Sequence, residues 1–405
     1  MSSKGRMMLI VMDGLGDRPC RELGGKTPLQ AAFRPNLNSL IRNGLGGLMN
    51  SVHAGMTTGS DTSHLSLLGY DPEKFYTGRG PFEAMGLGMK LRGGDLAFRA
   101  NFATIDANRL VTDRRAGRID EDTSELSEAL TFELDGVEFS VKNGVEHRAA
   151  LVMRGDGLSD HLSDTDPHSV GLKVKDAAAT QKDGLYTAEV LNRYMEKAEK
   201  ILANHPFNQR RRSHGKPPAN SILVRGAGMT PVLEPFREKH GFQGSCVAGI
   251  SMIKGICALL GMNVLEVEGA IGTVNSNYMN KINAAIRELE KVPFVLVNFK
   301  GTDAAGHDGL PVLKRSVIER MDRSLSPLIE SGITVCITGD HSTPCELKEH
   351  SGDPLPILFN SPGSRRDGSS FFDEISCAKS SIRIDSGSVL QFMKQLSGND
   401  EKYGA

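Results

Sequence analysis

Six of the side chains whose types can hold divalent cations stand at spacings that carry chemistry. Asp303-x-x-x-His307 puts a carboxylate and an imidazole at i and i+4, on one face of a helical turn, so both can reach one cation. Asp340-His341 follows an apolar run, His350 lies a little further on in Glu349-His-Ser-Gly, and Asp13 stands in Met12-Asp-Gly-Leu-Gly. Each residue alone has an ordinary reading. Asp-Gly is a common turn dipeptide, Asp340 suits the cap before Ser342-Thr-Pro, and single histidines are frequent on surfaces. Taken together, Asp13, Asp303, His307, Asp340, His341 and His350 form an O/N donor set that suits Zn, Mn or Co better than Ca. Such an inventory serves two cations about 4 Å apart. Ser60, after Gly59 and before a helix-like stretch Thr62–Leu68, supplies a hydroxyl at a helix start, where the N–H groups favour a phosphate or an alkoxide. A serine beside a divalent cation ionises near neutral pH and becomes a strong nucleophile, for which phosphate is the natural electrophile.

These residues need elements that bring them together. Met7–Met12, Val292–Phe299 and Ile333–Thr338 are apolar, partly β-branched runs that read as strands buried on both faces. Asp13, Asp303 and Asp340 follow them closely. In a doubly wound, mostly parallel α/β sheet, ligands gather beyond the carboxyl ends of the strands, so the three aspartates are expected to converge. Leu313, Val317, Met321, Leu325 and Leu328 recur at helical spacing over Leu313–Ile329, with Gly332 to close the helix. Thr27–Gly44 reads as one helical element, and Ser388–Leu396 as a last helix before a polar tail expected to fray. From about Leu91 to Ala227 the chain is richer in charge and in short alternating runs, which reads as an inserted α+β domain. The expected division is a discontinuous metal-binding domain over 1–78 and 230–405, with the insert over 79–229. A chain of 405 residues suits two domains.

Composition narrows the function further. Lys plus Arg is 48 and Asp plus Glu is 49, a net charge of −1, which lacks the basic surplus of a nucleic-acid binder. The basic stretch Gln209–Pro218 reads as a solvated loop. No apolar run approaches the ~20 residues that span a bilayer, so no membrane partner is expected. The six cysteines form no C-x-x-C pair, and neither a disulfide framework nor a zinc ribbon is indicated. A reducing cytoplasm is the expected location. Gly24-Gly-Lys-Thr27 lacks the earlier glycine of a phosphate loop, and Gly14-x-Gly16 lacks the third glycine of a dinucleotide fingerprint, so no nucleotide cofactor is expected.

The ordered set Asp13, Ser60, Asp303-x3-His307, Asp340-His341 and His350 resembles the alkaline phosphatase superfamily. More closely, the chain resembles the archaeal-type, 2,3-bisphosphoglycerate-independent phosphoglycerate mutases. The matching stretches are Val11–Asp17, Gly59–Asp61, Leu65–Tyr70, Tyr76–Pro81, Asp113–Arg118, Asp164–His168, Ala219-Asn220, Arg225-Gly226, Lys254-Gly255, Thr302-Asp303 and Gly339–His341, which cover nearly the whole length. Thr57-Thr58 and Gly301 depart from the family pattern without removing a ligand. The resemblance implies an alkaline-phosphatase-like domain with two divalent ions (Mn, Zn, Co or Mg) and no 2,3-bisphosphoglycerate. By this analogy Asp303, His307 and His350 bind one ion, and Asp13, Ser60, Asp340 and His341 the other. It implies interconversion of 3-phosphoglycerate and 2-phosphoglycerate through a phosphoserine on Ser60, with the insert closing over the substrate. Asp166 and Lys254 join Ser60 as catalytic residues, and either Asp164 or Asp166 moves the glycerate hydroxyl proton. Arg114, Arg115, Arg148, Asp164, His168 and Arg225 are then substrate-binding, with Arg154 a further candidate, because the guanidinium fork grips carboxylate and phosphate. The substrate is a small molecule, and an oligomer is left open. The alternative is a metal-dependent phosphomonoesterase on the same scaffold, which differs in letting water take the phosphate.

Overall fold

The structure is a computed structural model in which residues 5–400 are described. In chain order the strands are β1 (Met7–Met12), β2 (Leu45–Asn50), β3 (Leu96–Ile105), β4 (Val111–Asp113), β5 (Phe132–Leu134), β6 (Val137–Asn143) and β7 (Arg148–Arg154). They continue with β8 (Ser221–Met229), β9 (Gly244–Val247), β10 (Asn263–Val264), β11 (Phe294–Phe299), β12 (Thr334–Thr338), β13 (Leu355–Asn360) and β14 (Ile382–Asp385). The chain divides into two compact units, one made of the chain up to Phe75 and from Glu234 onward, the other of Tyr76–Leu233.

The first unit is built on an eight-stranded sheet in the order β10-β9-β11-β1-β12-β13-β2-β14. Every neighbouring pair is parallel except those of β13, which runs against both β12 and β2. All residues of β1, β11 and β12 are buried, as expected of central strands covered on both faces. Met8, Ile10, Val295, Val297, Val335 and Ile337 share one core with residues of helices Pro35–Arg42, Tyr278–Glu288 and Pro311–Ser324. The register aligns Met12 with Phe299 and Val11 with Thr338, so three chains leave the sheet at one level.

The second unit is a fully antiparallel sheet, β4-β3-β7-β6-β5, with β8 also paired to β3. Along β6, Val137, Phe139 and Val141 are buried while Glu138 and Lys142 are exposed, the alternation of a sheet packed on one side. Helix Leu185–Asn204 covers that side with Val190, Leu191, Tyr194, Ala198 and Leu202, and the Tyr194 ring stacks on Phe139 at 4.1 Å.

Several local expectations change. Thr27–Gly44 is two helices, Pro28–Ala31 and Pro35–Arg42, because Pro35 excludes its predecessor from the helical region and Arg34 sits at φ −135°. The Leu313–Ile329 helix starts at Pro311 and stops at Ser324, and Ser326–Leu328 continues as a 3-10 turn around Pro327. Ser60 opens helix Ser60–Leu67 as its first residue, with Gly59 at the cap. Gln209–Ser213 is the end of helix Pro206–Ser213, not loop, with Arg210 and Arg212 exposed. Arg211 is buried and paired with Glu121, Arg210 pairs with Glu125, and Lys216 also reaches Glu121 at 2.8 Å. The final helix is Val389–Ser397, and the end of the polar tail, 401–405, lies outside the described residues.

Candidate active site

The site of the first unit forms where β1, β11 and β12 end. Asp13 leaves β1 fully buried, with its N–H donating to Phe299 O at 2.9 Å and its carbonyl accepting from Thr302 Oγ1 at 2.5 Å. Gly14 turns the chain at φ +65° and donates its N–H to Asp340 Oδ1 at 3.0 Å. A Cβ at Gly14 would lie 2.7 Å from Asp303 Cα, so only glycine lets the two loops meet. Helix Gly301–His307 presents Asp303 and His307 on one side, Oδ1 to Nε2 at 3.4 Å. Asp340 and His341 follow β12 and are fully buried.

Two groups of donor atoms result. Asp303, His341 and His350 form one, and Asp13, Asp340 and His341 the other, with all ligand atoms in each within 4.8 Å of one another. His341 therefore adjoins both groups. His307 Nε2 comes within 3.2 Å of His350 Nε2. His307 Nδ1 donates to Lys348 O at 2.9 Å, and His350 Nδ1 to Thr58 O at 2.7 Å. With both Nδ1 atoms turned to carbonyls, the two Nε2 atoms face each other, an arrangement that needs a cation or a proton between them. Asp340 Oδ2 is buried and has no hydrogen-bond partner among the described residues. A buried carboxylate oxygen left bare is costly, and a cation is the natural complement. The residues present therefore fit divalent metal ions.

Ser60 faces these groups. Its Oγ is buried, 3.1 Å from His341 Nε2 and 3.4 Å from Asp13 Oδ1, two acceptors for its one proton. The Nδ1 of His341 donates to Thr343 Oγ1 at 3.1 Å, and that hydroxyl donates to Asp303 Oδ1 at 2.8 Å, so Nε2 is the acceptor toward Ser60. Three residues outside the expected set belong here. His64, one turn after Ser60, is fully buried and donates Nδ1–H to Ser60 O at 2.7 Å. Asn298 Nδ2 donates to Asp13 Oδ2 at 3.2 Å and to His64 Nε2 at 3.3 Å. Lys300 Nζ donates to Asp13 Oδ1 at 2.8 Å and pairs with Asp303 Oδ2 at 2.7 Å. The available signals were the Ser-x-x-x-His spacing and the position of Asn298 and Lys300 at the end of an already assigned strand.

The electrostatics are those of crowded buried carboxylates. Burial, reinforced by Asp340 and Asp303 against the pull of Lys300, pushes Asp13 up to about 8. Asp303 is also buried, but the His350 hydrogen bond and then the Lys300 charge hold it far below the carboxylate range. Burial brings His341 down to about 4, against the opposing pull of Asp340, so the ring is neutral and able to donate a lone pair. Lys254 lies apart from these contacts, on helix Ser251–Leu259, with Nζ 2.7 Å from both Glu266 oxygens.

The second unit gathers most of the other expected residues. Arg114 grips Asp166 with Nε at 3.1 Å and Nη2 at 2.5 Å, and Arg225 Nη1 adds 2.8 Å. Asp166 is fully buried. Burial alone would raise its carboxyl, but Arg114 and the His168 N–H hold it below the usual value. His168 Nε2 lies 3.0 Å from Asp164 Oδ2, and His168 takes φ +63°, a strained backbone for a non-glycine residue. Arg115 and Arg148 are exposed, while Arg154 pairs with Asp95 through Nε at 2.9 Å and Nη2 at 2.7 Å. Arg99 was missed. It pairs in register with Arg225 and reaches Glu83 at 3.2 Å. Burial, then the charges of Arg79, Arg225 and Arg148 against the opposing pull of Glu83, bring it down to about 10. This concentration of guanidinium groups suits an anion.

Fold and site together define an α/β enzyme in which a serine hydroxyl faces two carboxylate–imidazole groups fitted to divalent cations. The family model described as 2,3-bisphosphoglycerate-independent phosphoglycerate mutase matches residues 42–208. The chain is 51% identical to the 2,3-bisphosphoglycerate-independent phosphoglycerate mutase of Thermoplasma acidophilum over 401 residues, 98% of this chain and 99% of that one. It is 49% identical to that of Thermoplasma volcanium, covering 98% of each. Among solved structures, the cofactor-independent phosphoglycerate mutase from Thermoplasma acidophilum superposes with a TM-score of 0.75 at 46% identity, over 97% of this chain and 100% of that one. A protein from Pyrococcus horikoshii superposes at 0.86 with 37% identity, over 99% and 100%. The chain belongs to the family of 2,3-bisphosphoglycerate-independent phosphoglycerate mutases.

Proposed function

We propose that the chain interconverts 3-phosphoglycerate and 2-phosphoglycerate by passing the phosphoryl group through Ser60. The observation that carries this is Ser60 Oγ, buried at a helix start, 3.1 Å from His341 Nε2 and 3.4 Å from Asp13 Oδ1. Asp303, His307 and His350 would hold one divalent ion, and Asp13, Asp340, His341 and Ser60 the other, with His341 adjoining both groups. When bound, such ions lower the serine pKa and neutralise phosphate oxygens. The chain's own residues do the rest. His64 fixes the first turn of the serine helix through Ser60 O, and Asn298 orients Asp13. The Ser60 proton leaves to solvent, the Oγ–P bond forms and the P–O bond to glycerate breaks. Glycerate takes a proton at that oxygen, and its other hydroxyl then loses one as it recovers the phosphoryl group. Asp166, ionised between Arg114 and Arg225, aims both guanidinium groups and accepts the hydroxyl proton only transiently. Asp164 with His168 offers the second acceptor. Arg115 and Arg148 extend the anion-binding face, and Lys254 is a further cation for phosphate once released from Glu266.

Manganese is the first ion to test, and a cytoplasmic location accompanies this reading. No helix among the described residues is long and apolar enough to cross a membrane. Chelator-stripped protein is given 3-phosphoglycerate without 2,3-bisphosphoglycerate, with and without Mn. Enolase coupling reads 2-phosphoglycerate, and a colour assay reads free phosphate. Metal-restored isomer with little free phosphate is expected. Free phosphate without isomer would transfer the assignment to a phosphomonoesterase.

A further inference from the structure

Lys300 follows β11 directly and caps helix Gly301–His307, so its backbone is held by two regular elements. Its ammonium has three protons and three neighbours. These are Asp13 Oδ1 at 2.8 Å, Asp303 Oδ2 at 2.7 Å and Ser60 Oγ at 3.5 Å. It thus touches one carboxylate from each candidate cation group and the nucleophile itself. The contact with Asp303 uses one oxygen and leaves the other, which also accepts from Thr343 Oγ1 at 2.8 Å, turned to the imidazoles. Oδ1 faces His307 at 3.4 Å, His350 at 3.5 Å and His341 at 3.9 Å, while Oδ2 faces only Lys300 among these groups. Lys300 and an ion held by Asp303 can therefore coexist. The side chain is largely buried, with 19% exposed, so its charge acts in a medium that screens it poorly.

We infer that Lys300 is an additional catalytic residue, a fixed cation whose ammonium hydrogen-bonds Ser60 Oγ and an oxygen of the phosphoryl group passing through it. This rests on the Ser60 reading above. Lys300 gains and loses no proton. As the Oγ–P bond forms and the P–O bond to glycerate breaks, charge develops on oxygens beside an ammonium already in place, which needs no reorganisation. The two carboxylate contacts aim the third proton of the ammonium at the nucleophile.

The test compares Lys300→Gln and Lys300→Arg with wild type, each loaded with Mn, desalted and assayed for metal content. Mutase kcat and KM are measured, and phosphoserine formation is followed by rapid quench with labelled 3-phosphoglycerate. Expected for Lys300→Gln is wild-type metal content, KM within about threefold, and kcat and phosphoserine formation both slowed about 100-fold. Lys300→Arg should recover part of the loss, because it keeps the charge. Wild-type kcat in Lys300→Gln would overturn the inference. So would a loss that added Mn fully restores, since Lys300 would then act through the cation sites. A wild-type chain that forms neither phosphoserine nor 2-phosphoglycerate would overturn the Ser60 reading and this inference with it.

Discussion

Replacing Lys314 by Met should unfold the first unit far below its normal midpoint, and the cost can be worked from the contacts. Lys314 and Asp17 form an ion pair at 2.8 Å with both side chains at 0% exposure. The ammonium is fully satisfied, since its other two protons go to Gly16 O at 3.1 Å and Thr343 O at 2.9 Å. Gly16 O also accepts from Thr343 N at 3.0 Å, and Asp17 accepts from Cys345 N at 3.1 Å. The pair therefore ties the turn after β1 to the turn after β12, the two segments that carry Asp13 and Asp340-His341. Methionine fills a similar volume but leaves Asp17 as a buried charge without its cation, a loss of about 3–5 kcal/mol. At about 2–4 °C per kcal/mol for a body of this size, the midpoint falls by roughly 6–20 °C. Lys314→Met with Asp17→Asn removes both charges and should recover about half of that loss. The chain has no tryptophan, so far-UV circular dichroism is the suitable probe during heating and in urea. A Lys314→Met variant within about 1 kcal/mol of wild type, or a double variant no better than the single, would refute the reasoning.

Three further outcomes are expected. Asp13, pushed up to about 8, gives the metal-free folded chain one more proton than the unfolded chain between the ordinary carboxyl range and that value. Metal-free stability should fall as pH rises through this window, and cation binding should tighten over it. Calorimetry at pH 7 in two buffers of different ionisation enthalpy should read about one proton released per chain, and none released would count against the assignment. Gly14→Ala puts a Cβ 2.7 Å from Thr343 Oγ1 and Asp303 Cα at φ +65°. It should lose about 1–3 kcal/mol and weaken Mn binding together, measured by thermal midpoint and isotherm. Arg114→Met removes a two-point grip on Asp166. KM for 3-phosphoglycerate should rise about 10- to 100-fold with metal content unchanged, read by enolase coupling and metal analysis.

The parts of the site that were legible are those whose signal is local. The runs behind β1, β11 and β12 are buried on both faces and so read as unbroken apolar sequence. Asp303 and His307 lie on one helix, so their spacing alone puts them on one side. His64 carried a local signal in its Ser-x-x-x-His spacing, whereas Asn298 and Lys300 look ordinary in their own stretch, and their partner Asp13 is reached through space. Arg99 was missed for the same reason. A single arginine in an alternating strand is unremarkable until β8 brings Arg225 beside it. Gln209–Pro218 was expected as a solvated loop; Arg210 and Arg212 are exposed, but Gln209–Ser213 finishes a helix and Arg211 is buried. Glu121, far away in sequence, pairs with Arg211, a contact its own stretch does not announce.

The sequence by itself determined the α/β class and the identity of the donor set, because residue type decides what can coordinate a cation and periodicity decides what can be a buried strand. Tertiary structure alone decided that His341 adjoins both donor groups, that Lys300 stands between Asp13 and Asp303, and that Asp166 is held ionised by two arginines. Those facts depend on the register of β1 with β11 and β12, and of β3 with β8. Register is a property of paired strands, and no stretch of either strand specifies it alone.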